Sequence, residues 1–209
     1  MRFCSACGGR VVEKDEQGFV RFVCADCKKT HYTNPSIIVG GAVCWKDKVL
    51  MCRRAEAPGI GQWAVPSGFL EMGERLEAGA AREIEEETGV LIPAEKLELC
   101  SVINMTSISQ VAILFRIVLD ELPTLCPGPE CQEVAFLAHH EVPEGKFAWR
   151  QTMADGPERF YQELKSQQFT IQLITLGNAD GAGFSSREYV IATVHETLLE
   201  DREPEKHFP

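Results

Sequence analysis

Apolar runs separated by short polar turns predict a chain built mainly of β-strands. The run from Ser36 to Trp45 is rich in Ile, Val and Ala and is typical of a buried strand, and Lys46–Asp47–Lys48 predicts a hairpin turn after it. Further runs of strand character cover residues 49–54, 62–66, 97–106, 110–119, 134–138 and 169–176, and two shorter runs at 10–12 and 19–23 predict a hairpin near the start of the chain. With two helical segments between them, these runs predict an α+β fold.

One segment replaces the strand pattern with the 3.6-residue period of a helix. Leu76, Ala80 and Ile84 form an apolar seam that can pack against a sheet, and Gly89 stands where the helix would end. A second helix is expected over residues 155–167. The first helix is of greater interest, because its polar positions carry an unusual concentration of acid.

Three carboxylates share one face of this first helix. Glu83, Glu86 and Glu87 fall at positions i, i+3 and i+4, so their like charges repel. A solvated acidic face is the commonest meaning of such a run. A hard divalent cation such as Mg²⁺ would relieve the repulsion, because it takes carboxylate oxygens and completes its shell with substrate phosphate. Arg82 precedes Glu86 by four residues and can also reach Glu74, which would orient the carboxylates and favours the metal site.

The first 33 residues contain two Cys-x-x-Cys pairs and predict a structural zinc ribbon. A segment this short cannot bury enough surface to fold alone, and four thiolates around Zn²⁺ would supply the missing stability. A redox or catalytic thiol site is the weaker alternative, because a shell of four cysteines leaves zinc no open position. The predicted zinc ligands are Cys4, Cys7, Cys24 and Cys27, and the other five cysteines are expected to be ordinary thiols.

Composition narrows the class of partner. The net charge of −10 disfavours non-specific binding to nucleic acid or to an anionic membrane. No apolar run approaches the roughly 20 residues of a membrane span, and the start Met1–Arg2–Phe3–Cys4 has no signal-peptide character. Nine cysteines without the spacing of a disulfide framework agree with a reducing compartment. We therefore expect a cytoplasmic protein with no nucleic-acid or membrane partner.

The stretch from Gly68 to Val90 resembles the Nudix box, G-x5-E-x7-R-E-U-x-E-E-x-G-U, in which Ile84 and Val90 occupy apolar U positions. The resemblance implies a Nudix hydrolase, an α/β/α sandwich with a mixed sheet. Such enzymes cleave a nucleoside diphosphate linked to another moiety and use Mg²⁺ or Mn²⁺. A non-catalytic Nudix-fold binding or regulatory module is the alternative of another class, and a broken box would be its mark.

The resemblance also implies a role for each residue of the box. It implies that a nucleoside monophosphate leaves after water attacks phosphorus and a carboxylate takes the water proton. The implied metal ligands are Glu83, Glu86 and Glu87 with the backbone carbonyl of Ser67, the implied supporting residues are Gly68, Glu74 and Arg82, and the candidates for the base are Glu83, Glu133 and Glu130.

Segments outside the box carry further candidates. Residues 122–133 read as a loop with a Pro-Gly-Pro centre, and in Nudix enzymes a glutamate from such a loop often reaches the metal, so we place Glu133 first and Glu130 second. Surface carboxylates are the alternative. At least one of Arg53 and Arg54 is expected to contact phosphate, because so acidic a site needs cations to hold a diphosphate. The aromatic residues Phe69, Phe147 and Trp149 are candidates to stack on a substrate ring.

The ribbon, the Tyr32–Thr33–Asn34–Pro35 link and the PGPE loop together resemble the zinc-ribbon Nudix hydrolases of the plant chloroplast FAD diphosphatase type and their bacterial relatives. That resemblance implies cleavage of FAD to FMN and AMP by a homodimer. ADP-ribose and NAD(H) are the alternative substrates, and the absence of an SQPWPFP stretch after the box counts against NADH. We expect a ribbon at 1–33, a Nudix domain at 34–168, and a C-terminal strand segment and tail at 169–209.

Overall fold

The computed structural model describes residues 1–143, 145–148 and 158–176, and the backbone of a strand at 184–189. The chain forms two compact units, Met1–Pro35 and Ser36–Pro209. The predicted C-terminal tail is outside the described residues from residue 190 onward. Within the described parts of the chain, no helix is both long and apolar enough to cross a membrane.

The first unit is a small antiparallel sheet. Its strands are β1 (Val11–Glu16), β2 (Phe19–Cys24) and β3 (Thr30–His31). Gln17 and Gly18 adopt positive φ and close the tight turn between the first two strands. The buried apolar cluster of this unit consists of Cys4, Val11 and Cys24. So small a core does not hold a fold of 35 residues by itself, so the unit needs a further source of stability.

The second unit is built on one mixed sheet. Its described strands are β4 (Ser36–Trp45), β5 (Lys48–Arg54), β6 (Trp63–Ala64), β7 (Ser67–Phe69), β8 (Glu98–Met105), β9 (Gln110–Leu119), β10 (Cys131–Leu137), β11 (Ile171–Leu176) and β12 (Phe184–Tyr189). The order across the sheet is β10-β5-β4-β9-β8-β11-β12, with β6 beside β5 and β7 beside β4. The pairs β4–β9 and β8–β11 are parallel, and the other pairs are antiparallel.

Two helices cover opposite faces of this sheet. They are α1 (Leu76–Thr88) and α2 (Glu158–Ser166). Ala80 and Ile84 of α1 belong to one buried cluster, and Phe160 and Leu164 of α2 belong to the other. Successive residues of a strand point to opposite faces, so β4 and β5 feed both clusters. The predicted α+β sandwich with a mixed sheet is confirmed.

Glycines set the position of α1. A Cβ on Gly41 would lie 2.9 Å from Ile84 Cδ1, so a larger residue in β4 would push the helix away from the sheet. At the other end, Gly89 adopts a φ of 73° and donates its N–H to the carbonyl of Glu85 at 2.7 Å. The helix therefore ends at the glycine that the sequence indicates.

A buried ionic network attaches α2 to the sheet. Arg159 Nε donates to Glu163 Oε1 at 2.9 Å, and Arg116 Nη1 on β9 donates to Glu163 Oε2 at 3.2 Å. Arg159 Nη1 also donates to Ser101 Oγ on β8 at 2.9 Å. Because each charged group has a partner, burial of the network is tolerated and α2 is held in register with β8 and β9.

The chain departs from the predicted elements near the box and in the late loop. The predicted strand at 62–66 is shorter and is followed by β7, which pairs with β4. Strand β10 begins at Cys131, three residues before the predicted start at residue 134. As a result Glu130 remains in the loop, whereas Glu133 lies inside a strand.

Candidate active site and metal centres

The loop that enters α1 is pressed against the acidic face of the helix. Gly68 pairs with Val39 of β4, and a Cβ on Gly68 would overlap the carboxylate of Glu83. Gly79 in the first turns of α1 is similarly restricted, because a Cβ there would lie 2.8 Å from Glu74 Oε2. The glycine at position 68 is therefore required by the close approach of backbone to carboxylate rather than by its φ angle.

Arg82 connects the loop to the carboxylates of the helix. Its Nε and Nη2 atoms donate to the two oxygens of Glu74 at 2.9 and 3.0 Å, and Nη2 also donates to the carbonyl of Phe69 at 3.1 Å. Its Nη1 donates to Glu83 Oε1 at 2.7 Å and to Glu86 Oε2 at 2.9 Å. Hydrogen bonding from Arg82 lowers the pKa of Glu74, so this carboxylate is ionised and holds the guanidinium in place.

Glu87 occupies the most enclosed position of the three helix carboxylates. Burial raises its pKa to about 7, although the Cys52 side chain and the Ser67 backbone N–H both hydrogen-bond to it. Burial also raises the pKa of Glu83, against the hydrogen bond from Arg82. An ionised Glu87 is thus destabilised until a cation approaches it.

The loop before β10 is attached to the end of α1. The N–H of Cys126 donates to the carbonyl of Thr88 at 2.8 Å, and that of Gly128 donates to the carbonyl of Glu87 at 2.9 Å. These bonds use carbonyls that a helix end leaves without partners. A Cβ on Gly128 would overlap the carbonyl oxygen of Glu86, so only glycine allows this approach.

The same loop brings Glu130 to the helix carboxylates. Its carbonyl accepts the N–H of Ala55 at 2.8 Å, which fixes the residue at the end of β5. The charge of Glu130 raises the pKa values of both Glu83 and Glu87, after the larger effect of burial in each case. Glu130, placed second of the two predicted loop glutamates, therefore lies near the carboxylates of α1.

Glu133, the first of the two predicted loop glutamates, lies elsewhere. It pairs with Arg53 across β10 and β5, and the two side chains form an ion pair with Nη2 and Oε2 3.2 Å apart. Cys52, which faces Glu87, is the neighbour of Arg53 in the strand, so Arg53 and Glu133 project from the opposite face of the sheet. Glu133 therefore does not lie beside the carboxylates of α1. Its ion pair with Arg53 lies on the opposite face of the sheet.

A cavity of about 570 Å³ opens beside the box. Its rim includes Ser67, Phe69, Arg54 and Glu130, so one of the two predicted arginines lies there together with the loop glutamate. The interior is largely apolar and includes Ile103, Met105, Leu114, Phe160 and Leu176. A cavity of this size and lining is typical of sites for small organic ligands.

The three aromatic candidates are divided by the structure. Phe69 is 55% exposed at the cavity rim, where its side chain is accessible to a ligand. Phe147 is buried and stacks on His139 with ring centroids 6.5 Å apart, so it belongs to the core. Trp149 lies outside the described residues.

The donor set beside α1 fits a hard divalent cation. Glu83, Glu86, Glu87 and Glu130 supply carboxylate oxygens, and Arg82 is the cation that contacts two of them. Oxygen ligands of this kind suit Mg²⁺ or Mn²⁺.

The ribbon cysteines fit zinc. The Sγ atoms of Cys4 and Cys27 are 3.7 Å apart and those of Cys7 and Cys24 are 3.5 Å apart. Four thiolates around tetrahedral Zn²⁺ would be separated by about 3.8 Å. The backbone N–H of Cys27, against the effect of burial, lowers the pKa of the Cys24 thiol to about 7, which favours the thiolate that zinc binds.

Two contributions to these clusters come from residues that were not predicted as site residues from the sequence. Nε2 of the buried His31 lies 3.3 Å from Cys4 Sγ, and the tautomer protonated at Nε2 would donate to a thiolate there. Cys52 and Cys131, expected to be ordinary thiols, lie with Glu87, and the three ligand atoms are within 4.8 Å of one another. The pairing of β5 with β10 creates this contact between distant residues, and neither local spacing nor composition indicates it.

Comparison with known proteins identifies the family and supports the fold. The model of the NUDIX domain family matches residues 36–164, which include every box residue and the loop glutamates. A solved structure of a NUDIX hydrolase from Nitrosomonas europaea is similar, with 38% identity and a TM-score of 0.77 over 85% of this chain and 100% of that one.

Two curated relatives match part of the chain. The NAD-capped RNA hydrolase NudC of Vibrio atlanticus is 44% identical over 92 residues, which cover 43% of this chain and 32% of that protein. The ADP-ribose pyrophosphatase of Methanocaldococcus jannaschii is 43% identical over 72 residues, which cover 34% of this chain and 42% of that protein. The chain thus spans about a third to two fifths of the length of these curated relatives.

Proposed function

The chain belongs to the Nudix hydrolase family, and from this premise we propose that it splits the diphosphate of a dinucleotide cofactor, with FAD as the preferred substrate. One observation carries the proposal. Glu130, whose charge acts on the box carboxylates Glu83 and Glu87, lines an apolar cavity that is large enough for a flat ring system. An intact box also argues against a purely non-catalytic binding module.

Glu83, Glu86 and Glu87 are the proposed ligands of Mg²⁺ or Mn²⁺. When bound, the ion would neutralise phosphate charge and act as a Lewis acid at a phosphoryl oxygen. Arg82 keeps the carboxylates of Glu83 and Glu86 in fixed orientations through its Nη1 atom, while Glu74 holds the guanidinium from the other side. Arg82 and Glu74 are therefore positioning residues in this proposal.

Glu130 is the proposed general base. It would accept a proton from a water molecule whose oxygen attacks one phosphorus, and the bond from that phosphorus to the bridging oxygen breaks. The products are two monophosphates, FMN and AMP when the substrate is FAD. Glu130 supports this role better than Glu133 because it lies beside Glu83 and Glu87 at the cavity rim, whereas Glu133 is paired with Arg53.

The cavity supports a substrate with a large flat ring. Its apolar interior favours burial of an aromatic ring system, and Phe69 at the rim offers a stacking face at a low cost in side-chain entropy. Arg54, which also lines the cavity, supplies positive charge near a diphosphate. The flavin ring fills such a space better than the ribose end of ADP-ribose.

ADP-ribose is the second candidate, because a relative that shares 43% identity over 72 residues is an ADP-ribose pyrophosphatase. The two are separated by kcat/KM for FAD, ADP-ribose, NAD and NADH measured with Mg²⁺. We expect the highest value for FAD. Efficient cleavage of ADP-ribose or NADH with no cleavage of FAD would overturn the substrate while leaving the chemistry intact.

The homodimer implied by the resemblance is part of the proposal and is tested by sedimentation at several protein concentrations. A structural Zn²⁺ on Cys4, Cys7, Cys24 and Cys27 is supported by their Sγ separations, and it takes no part in the reaction.

A further inference from the structure

We propose that Cys52, Cys131 and Glu87 form a second site for a thiophilic divalent cation such as Zn²⁺, separate from the ribbon. Cys52 lies in β5, Cys131 is the first residue of β10, and Glu87 belongs to the last turn of α1. One atom from each residue lies within 4.8 Å of the other two. The three ligands come from three separate elements, so the fold rather than a local motif assembles the site.

An irregularity in β10 creates the site. Val134 pairs with Cys52, and in a regular ladder Gln132 would be opposite Arg54 and would share the face of Cys52. The register shifts between residues 131 and 133, so Cys131 takes that position instead. The extra residue of the bulge thus turns a thiol, in place of an amide, toward α1.

The geometry suits a small tetrahedral ion. Cys131 Sγ is 3.9 Å from Glu87 Oε2. A sulfur and an oxygen bound to the same tetrahedral Zn²⁺ would be about 3.6 Å apart, so a small shift of side chains closes the shell. Three protein ligands leave a fourth position for water or for a phosphate oxygen, as in zinc sites that remain open.

The donors separate this cation from the one proposed for the box. Two thiol sulfurs select zinc and other thiophilic ions, whereas Mg²⁺ takes oxygen ligands and leaves thiols alone. Both thiols are buried, with Cys52 1% exposed and Cys131 9% exposed, so the two sulfur ligands are shielded from bulk solvent. Backbone support is also present, because the N–H of Gly128 fixes the carbonyl of Glu87 at 2.9 Å.

Sharing of Glu87 gives the site a consequence. A cation held by the two thiolates and Glu87 removes one carboxylate from the Mg²⁺ set. This consequence rests on the proposed function: a thiophilic cation bound at this site inhibits hydrolysis by withdrawing Glu87 from the Mg²⁺ ligands. The inhibition would be stronger at low Mg²⁺ concentration, since the two ions compete for one ligand.

Zinc stoichiometry tests the site without reference to catalysis. Full-length protein is dialysed against Zn²⁺ at a low Mg²⁺ concentration, so that Mg²⁺ does not compete for Glu87, and bound zinc is counted by metal analysis. We expect two zinc ions per chain for the wild-type protein and one for Cys52→Ala and for Cys131→Ala. Cys126→Ser, an exposed thiol of the same loop, is the matched control and should retain two. One ion in the wild-type protein, or two in both alanine variants, would overturn the proposal.

A spectroscopic measurement on the unmodified chain avoids dependence on folding of the variants. Cd²⁺ replaces Zn²⁺ on thiolates and adds ultraviolet charge-transfer absorbance in proportion to the Cd–S bonds formed. The ribbon offers four thiolates and the second site two. The second equivalent of Cd²⁺ should therefore add about half the absorbance of the first, and no added absorbance would contradict the site.

An activity assay then tests the consequence separately. Micromolar Zn²⁺ should lower the hydrolytic rate of the wild-type protein at least several-fold more than that of Cys131→Ala at the same Mg²⁺ concentration. Equal inhibition of the two proteins would refute the coupling to the box. If the wild-type protein hydrolyses none of the substrates but still binds two zinc ions, the proposed function fails and the metal site stands.

Discussion

The four thiols of the ribbon and the four carboxylates beside α1 are both clusters of ligands with like charge, but they differ in how they are enclosed. The ribbon sulfurs lie 3.5 and 3.7 Å apart in pairs, close to the separation of about 3.8 Å in a tetrahedral Zn²⁺ site. Of the carboxylates, Glu83 and Glu86 are contacted by Arg82, and Glu130 lines a cavity of about 570 Å³. A closed shell contributes folding energy, whereas an open one leaves coordination positions for substrate. We therefore expect loss of the first cluster to reduce stability and loss of the second to reduce activity.

Removal of one ribbon thiol should give the largest change in free energy. Cys24→Ser is expected to release zinc and unfold residues 1–35, because zinc binding supplies about 10–16 kcal/mol in small zinc-dependent units. The Nudix unit, which has its own core, should still unfold cooperatively at nearly the wild-type temperature. Metal analysis and amide hydrogen exchange measure the two effects, and Cys126→Ser is the control. A wild-type protein without zinc would contradict the ribbon.

Neutralising one helix carboxylate should remove activity and leave the fold intact. Glu86→Gln and Glu87→Gln are each expected to lower kcat/KM by about 10²–10³-fold, the loss typical of one preorganised electrostatic contact. Their thermal stability should not fall, because a repulsive charge has been removed. Glu85→Gln, an exposed residue of the same helix, is the matched control. Rates near that of the wild-type protein in both variants would refute the metal assignment.

The two late glutamates provide a sharper contrast within the open cluster. Glu130→Gln is expected to lower kcat by about 10²-fold, at the lower end of the range for a general base. Glu133→Gln should change kcat less than about threefold, because Glu133 forms a surface ion pair with Arg53 and such pairs contribute little. Steady-state kinetics give kcat for both variants and show which glutamate has the larger effect. The reverse order of effects would place the catalytic glutamate on the other strand face.

The raised pKa of Glu87 predicts a pH dependence of stability in protein free of Mg²⁺. The folded-state pKa is about 7, against an ordinary value of 4.5, so its contribution to stability is fully present below about pH 4.5 and is lost as pH rises to about 7. Glu87→Gln should therefore gain stability relative to the wild-type protein across this window, on the order of 3 kcal/mol. Urea unfolding at several pH values measures the difference, and a constant difference would contradict the shift.

Substrate discrimination at the cavity rim should give the smallest effect. Phe69→Ala is expected to lower kcat/KM for FAD by about 3–10-fold while changing that for ADP-ribose less, since an aromatic contact is worth about 0.5–1.5 kcal/mol beyond its area. The side chain is 55% exposed, so the fold should not depend on it. An equal loss for both substrates would show that Phe69 does not contact the flavin ring.

Short-range features of these two clusters follow from sequence, and long-range ones do not. The contact of Arg82 with Glu74 depends on a spacing of eight residues within one loop and helix, so it was predictable. The choice between Glu130 and Glu133 depends on where β10 begins and on its shift in register against β5. The same shift brings Cys131 to Cys52. Local pattern does not encode a register between strands about 80 residues apart, because many alternative pairings satisfy it equally.

The most direct test of the proposed catalytic role of the carboxylates is the Mg²⁺-dependent release of monophosphate from substrates that contain a diphosphate. Purified protein is incubated with Mg²⁺ and, separately, with FAD, ADP-ribose, NAD and NADH, and products are separated by chromatography beside Glu87→Gln as the inactive control. We expect AMP from at least one of the four substrates, with FMN as the second product from FAD, and no product without a divalent ion. No monophosphate from any of the four with the wild-type protein, or equal release by Glu87→Gln, would contradict it.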